Sequence, residues 1–218
     1  MPFMLRLYED TLSADGALDG PLPALPRMMF VVHGAATIAG RALGDGEAWF
    51  GEEACPVVPG KAGVTCWRFE LAPAAAAPGA ARGRGVISHE KLAAQLDTLP
   101  AGELLMRGDS VAFPPGGCAY LHTHQGPGIR CLIEGGIRID THGRSTSYGP
   151  GGAWFESGPE PVFAQGADRT SRFVRVMILP RALIGKSSIE YLNEEDKVKP
   201  KSQSYKLYAD MPIASPSA

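Results

Sequence analysis

Apolar positions along the chain come in short bursts separated by glycine, proline and small polar residues. Phe30-Val31-Val32-His33-Gly34, followed by Ile38, reads as strand, glycine turn, strand. Cys131-Leu132-Ile133-Glu134-Gly135, followed by Ile139, repeats that pattern. Further on, Gly46-Glu47-Ala48-Trp49-Phe50 matches Gly151-Gly152-Ala153-Trp154-Phe155, and Arg68-Phe69 matches Arg172-Phe173. Three matches in the same order predict two similar units, the second with a longer loop around His142-Gly143-Arg144. Between them, Pro73 to Gly85 is a crossing of Ala, Pro, Gly and Arg. Ser88 then reads as an N-cap, and the Leu92, Leu96, Leu99 stripe ended by Pro100 predicts a short amphipathic linker helix packed on a barrel. Tyr205, Leu207 and Tyr208 predict a final strand that closes over this barrel or pairs with a second subunit.

Composition agrees with that pattern. With 27 glycines and 19 prolines in 218 residues, and few long helical patterns, the chain is expected to be mainly all-β, with many short strands joined by tight turns. The expected division is 1–80, a first repeat; 81–103, the linker with its helix; 104–180, a second repeat; and 181–218, a C-terminal extension.

Charge narrows the partners. The formal net charge of -2, without a basic stripe, argues against nucleic acid. Lys197, Lys199 and Lys201 follow Glu194, Glu195 and Asp196 and read together with them as a solvated tail. No apolar run reaches the length of a membrane helix, and the first residues, with Arg6, Glu9 and Asp10, are not expected to act as a signal peptide. Cys55, Cys66, Cys118 and Cys131 show no Cys-x-x-Cys spacing and are expected to be reduced core residues, which points to the cytoplasm. A homodimer is the expected assembly.

One segment carries chemistry. His122-Thr123-His124 follows Pro114-Pro115-Gly116-Gly117 and precedes an apolar strand. Alternate residues of a strand share a face, so both imidazoles point one way and can bite one divalent metal.

These residues resemble the first motif of the cupin superfamily: Gly116, the pair His122 and His124, then Gly128 at the glutamate position and Gly135 at the closing glycine. In the second motif, Pro150 falls at the leading glycine, Glu156 at the proline, Gly158 at the inner glycine, Pro161 at the histidine and Gln165 at the asparagine. The resemblance covers about Arg107 to Leu179, with Arg27 to Leu71 as a degenerate copy. It implies a bicupin: two double-stranded β-helix, or jelly-roll, barrels in one chain. Two of the four usual cupin ligands, the glutamate and the third histidine, are absent. Glu156 is the first replacement, giving two histidines and one carboxylate, and Glu160 is the substitute. Such a set suits Fe(II), with Zn, Mn or Ni as other divalent candidates. In the repeat register His122, His124 and Glu156 fall on Pro21, Pro23 and Gly51, so the first unit should hold no metal.

The motif register also turns Arg130 inward, two residues beyond the vacated glutamate position. A buried arginine needs an anion, either a structural glutamate or a substrate carboxylate. Trp154 and Phe163 would line the same pocket or belong to the core, and Gln165 completes the substrate-side set. The resemblance implies a metal-dependent enzyme acting on a small organic molecule, with a lean to dioxygenase chemistry. The alternative is a non-catalytic binding or sensing cupin.

Overall fold

The computed structural model describes residues 2–214. The chain divides into two compact units, one reaching Thr98 and the other spanning Leu99–Pro212; the described residues from Ile213 on group with the first. Strands dominate both, as the apolar bursts predict.

The first unit contains β1 (Phe3–Leu18), β2 (Arg27–Ile38), β3 (Arg41–Gly44), β4 (Ala48–Gly51), β5 (Val57–Pro73) and β6 (Gly83–Leu96). They form one sheet in the order β3-β2-β5-β1-β6, with β4 paired to β2. Its apolar core gathers Leu12, Met29, Val31, Ile38, Cys55 and Cys66 among others.

The second unit contains β7 (Leu104–Phe113), β8 (Cys118–His124), β9 (Gly128–Glu134), β10 (Ile137–Thr141), β11 (Arg144–Tyr148), β12 (Ala153–Glu156), β13 (Val162–Gly166), β14 (Ser171–Pro180), β15 (Ile189–Tyr191), a short helix α1 (Glu194–Val198) and β16 (Ser204–Ile213). Two five-stranded sheets result, ordered β11-β10-β13-β8-β15 and β12-β9-β14-β7-β16. Val111, Leu132, Trp154 and Phe173 from one sheet meet Ala119, Ile139, Val162 and Ala164 from the other in a shared core. β14 lies between β9 and β7 and is buried almost without interruption, which is why its sequence is an apolar run instead of an alternation.

The strand registers of the two units correspond. Met29 faces both Trp49 and Arg68, and Arg130 faces both Trp154 and Arg175. Arg27 faces Gly51, as Gly128 faces Glu156. The matched turn glycines Gly34 and Gly135 have φ of 85° and 82°, and a Cβ on either would lie 2.3 Å from a carbonyl oxygen, so both positions require glycine. One sequence match slips: Arg68 corresponds in register to Arg175, three residues beyond Arg172. The offset between corresponding positions grows along the chain, from Met29 and Arg130 through Trp49 and Trp154 to Arg68 and Arg175, so the Arg-Phe dipeptide match falls short of the register.

The expected linker helix is absent. Residues 83–96 form β6, antiparallel to β1. Leu92 and Leu96 are four apart, a spacing that satisfies a helix face and a strand face alike. The buried Ala94 and Leu96, flanked by exposed Ala93 and Gln95, show the period of two. Ser88 caps nothing; its hydroxyl donates to Asp10. The need of β1 for a partner on its open edge overrides the helical propensity of this segment. The predicted final strand is β16, which lies beside β7; residues 215–218 of the extension lie outside the described residues. None of the four cysteines is joined in a disulfide, and Cys55, Cys66 and Cys131 are buried.

Candidate metal centre

β8 carries the histidine pair as its alternation predicts: His122 and His124 are buried, while Leu121 and Thr123 are only partly so. β12 brings Trp154 and Glu156 to the same interior. One ligand atom from each of His122, His124 and Glu156 lies within 4.8 Å of the other two. Cis or tetrahedral ligands on one first-row metal, each about 2.1 Å away, sit roughly 3.0–3.4 Å apart, so the widest spacing in the set would have to contract by about 1.5 Å to close on an ion.

The imidazoles are in the state a metal requires. Burial pushes His124 down to about 3 and also lowers His122, so both are neutral at neutral pH. His122 Nδ1 lies 2.7 Å from the Tyr120 carbonyl oxygen and donates to it, which leaves Nε2 with its lone pair. His124 Nε2 lies 3.3 Å from Glu156 Oε2, and its buried Nδ1 has no hydrogen-bond partner. Burial pushes the Glu156 carboxyl up. The Arg130 guanidinium, His124 and the Trp154 indole overcome that and hold it well below the usual carboxylate range.

Arg130 faces inward and is almost fully buried, and its anion is Glu156: Nη2 to Oε2 is 2.6 Å. Trp154 Nε1 donates to the other carboxylate oxygen at 2.8 Å. Burial draws the guanidinium down to about 10, against the pull of Glu156 and with the push of Arg175, so it is still charged at neutral pH. The absence of a side chain at Gly128 explains the fit. A Cβ on Gly128 would lie 2.6 Å from the Val176 carbonyl oxygen and 3.0 Å from Arg130 Nη1. Arg130 folds back over that space and donates from Nη1 to the Gly128 oxygen at 2.7 Å.

Arg175 stands directly across from Arg130, and Asp109 on β7 neutralises it through bonds of 2.7 and 3.0 Å. The buried cluster therefore holds two guanidinium cations, Arg130 and Arg175, against two carboxylates, Glu156 and Asp109. Sequence reasoning missed Arg175 and Asp109. The signal for Arg175 was a lone charge inside an apolar strand, Phe173-Val174-Arg175-Val176-Met177. It also missed Ile189 and Tyr191 on β15, which pair across from His124 and His122.

Of the remaining candidates, Trp154 lines the site and packs edge-on against Phe173. Glu160 does not join it; it is half exposed, 3.6 Å from His142. Phe163 and Gln165 sit on the face of β13 opposite to the buried Val162 and Ala164, and Gln165 donates to the carbonyl oxygens of Gly116 and Gly117 instead. Beside the histidines the free volume is about 20 Å³, room for about one water molecule.

No protein-family model matches the chain, and no curated protein matches it in sequence. Solved structures do match. A deletion mutant of oxalate decarboxylase from Bacillus subtilis superposes with a TM-score of 0.60 at 12% identity, covering 89% of this chain and 73% of that one. A single-substitution variant of the same enzyme gives 0.61 at 10% identity with the same coverage. Salicylate 1,2-dioxygenase from Pseudaminobacter salicylatoxidans gives 0.53 at 10% identity, covering 79% of this chain and 71% of that one. The fold is the cupin β-barrel. Among the described residues no helix is long and apolar enough to cross a membrane.

Proposed function

We propose that this chain is a metal-dependent bicupin enzyme acting on a small organic anion, with dioxygenase chemistry the favoured reaction. In this reading residues 1–80 are the degenerate cupin repeat and 104–180 the working one. The convergence of His122, His124 and Glu156 in one buried site carries it. Two neutral imidazoles and one carboxylate are a donor set that would hold Fe(II), and the ion would supply oxygen activation at this site. Zn, Mn and Ni suit the same donors. The first unit, with Pro21, Pro23 and Gly51 in the corresponding places, supplies no ligands. The names of the structural neighbours, oxalate decarboxylase and salicylate 1,2-dioxygenase, support a small carboxylate as the substrate class.

The chain's own residues do the positioning. Tyr120 fixes the His122 tautomer, Trp154 holds one oxygen of Glu156, and Arg130 holds the other. Because Arg130 is met by Glu156, a substrate carboxylate does not find an unpaired guanidinium at that point. The same pairing favours the second reading, a sensing or binding cupin in which Arg130 keeps Glu156 from the metal. We further propose a cytoplasmic location, on cysteines held in no disulfide, and a homodimeric assembly. The experiment is oxygen uptake by anaerobically Fe(II)-loaded protein on addition of a panel of small carboxylates. Uptake above background that disappears in His122→Ala supports the enzyme. A fully loaded protein that consumes no oxygen with any of them supports the sensing reading instead.

A further inference from the structure

The space beside the histidines admits about one water, yet a chamber of about 480 Å³ adjoins it, and Arg175, Ile189 and Tyr205 border both. We propose that this chamber is the binding site for an organic anion with an apolar or aromatic body, of about the size of a naphthoate. The inference deepens the reading above by naming where and what the ligand is, but the binding itself requires no metal.

The chamber belongs to the C-terminal extension. β15 lies beside the histidine strand, with Ile189 across from His124 and Tyr191 across from His122. β16, beside β7, adds Tyr205 and Leu207. The segment over the chamber is pinned and does not collapse into it. Arg107 donates Nη1 to the Lys186 carbonyl oxygen at 2.8 Å and Nη2 to the Leu183 carbonyl oxygen at 2.6 Å. It also pairs with Asp210, whose Oδ2 accepts the Gly185 amide at 2.7 Å. Such fixed walls lower the ordering cost of binding.

The lining states the ligand's chemistry. Tyr205 is 53% exposed and Leu207 57%, so apolar surface faces the chamber uncovered. Both acids of the lining are already neutralised, Asp109 by Arg175 and Asp210 by Arg107. Two further cations remain, Lys186 and Lys201, and among the described residues no carboxylate pairs with either. The Lys201 ammonium bonds only the backbone oxygens of Asp196 and Lys199, and stands 4.1 Å over the Tyr191 ring. Among the lining side chains four cations stand against two acids, with Asp196, outside the lining, attracting Lys201 and Lys199 alike. Of the lysine-rich stretch expected to be a solvated tail, Lys201 thus lines the chamber. Apolar walls, a surplus of positive charge and a volume in the ordinary range for small-molecule pockets together select an anion with a ring or alkyl body.

Chelator-treated protein titrated with 1-naphthoate and with neutral 1-naphthamide, by calorimetry, tests this. The expected result is one naphthoate site per chain, with the carboxylate bound at least about tenfold more tightly than the amide. The Lys186→Met/Lys201→Met double variant should erase that preference, and Leu207→Glu should weaken naphthoate by about tenfold or more. All three positions are exposed, and melting curves verify that the variants fold. No saturable naphthoate binding up to about 10 mM, or equal affinity for the amide in the unaltered chain, overturns the proposal. Since the protein is metal-free here, failure of the metal site leaves the result standing, and failure of the chamber leaves the metal site untouched.

Discussion

Arg130→Met separates the two roles that Glu156 can play. In the intact chain the buried cluster is neutral: Arg130 and Arg175 balance Glu156 and Asp109, and the histidines are uncharged. Methionine keeps most of the volume and removes one charge, leaving Glu156 with only the Trp154 indole at 2.8 Å and His124 at 3.3 Å. Removing one partner of a buried pair costs about 3–5 kcal/mol. At roughly 2–4 °C per kcal/mol for a chain of this size, the apo protein should melt about 6–20 °C lower. A divalent ion then finds a net charge of -1 where the intact chain offers zero, so it should bind at least about tenfold more tightly, about 1.4 kcal/mol. Metal in hundredfold excess over its Kd returns about 2.7 kcal/mol. Scanning calorimetry of both proteins, with chelator and with Zn or Mn, reads all three quantities. An apo variant melting within about 1 °C of the parent would refute the ion-pair argument. A metal-induced gain no larger than the parent's would refute the charge argument.

Acid should destabilise the second unit well above the carboxylate range. His124 is lowered to about 3 from 6.5, so between those values the unfolded chain binds a proton that the folded one excludes. Stability is complete above about pH 6.5 and falls by about 1.4 kcal/mol per pH unit below it, with the lowered His122 adding to the slope. Urea titrations from pH 7 to 4 check this, and His124→Phe should flatten the profile. The lowered Glu156 has the same sign, but its stabilisation is lost only as pH falls below the ordinary glutamate range. Gly128→Glu, which adds a carboxylate beside Arg130, should not improve the site: the new Cβ meets the Val176 carbonyl at 2.6 Å, and the variant should melt lower and bind metal no better.

How much was legible depended on how many structures one spacing permits. His122 and His124 were readable because alternation on a strand leaves one arrangement. Arg130 followed from the same parity once a motif supplied the register, and its partner was readable only as a carboxylate of either origin. Glu156 was found by elimination, and the structure adds that it has two claimants. The segment 83–96 misled because a four-residue spacing fits both periods, and only the edge of β1 decides between them. Phe163 and Gln165 were assigned by chemistry without regard to the parity of β13, which turns them away. The chamber was beyond reach, since it depends on β15 and β16 lying beside particular strands, and no local pattern encodes which edge a late strand will take.

The central claim is that His122, His124 and Glu156 hold one metal ion in the second unit. Elemental analysis of the purified protein after dialysis against limiting Fe(II), Zn or Mn tests it, alongside His122→Ala/His124→Ala treated identically. The account predicts about one ion per chain in the parent and essentially none in the double variant, with the fold retained in circular dichroism. Equal stoichiometry in the two proteins would contradict it.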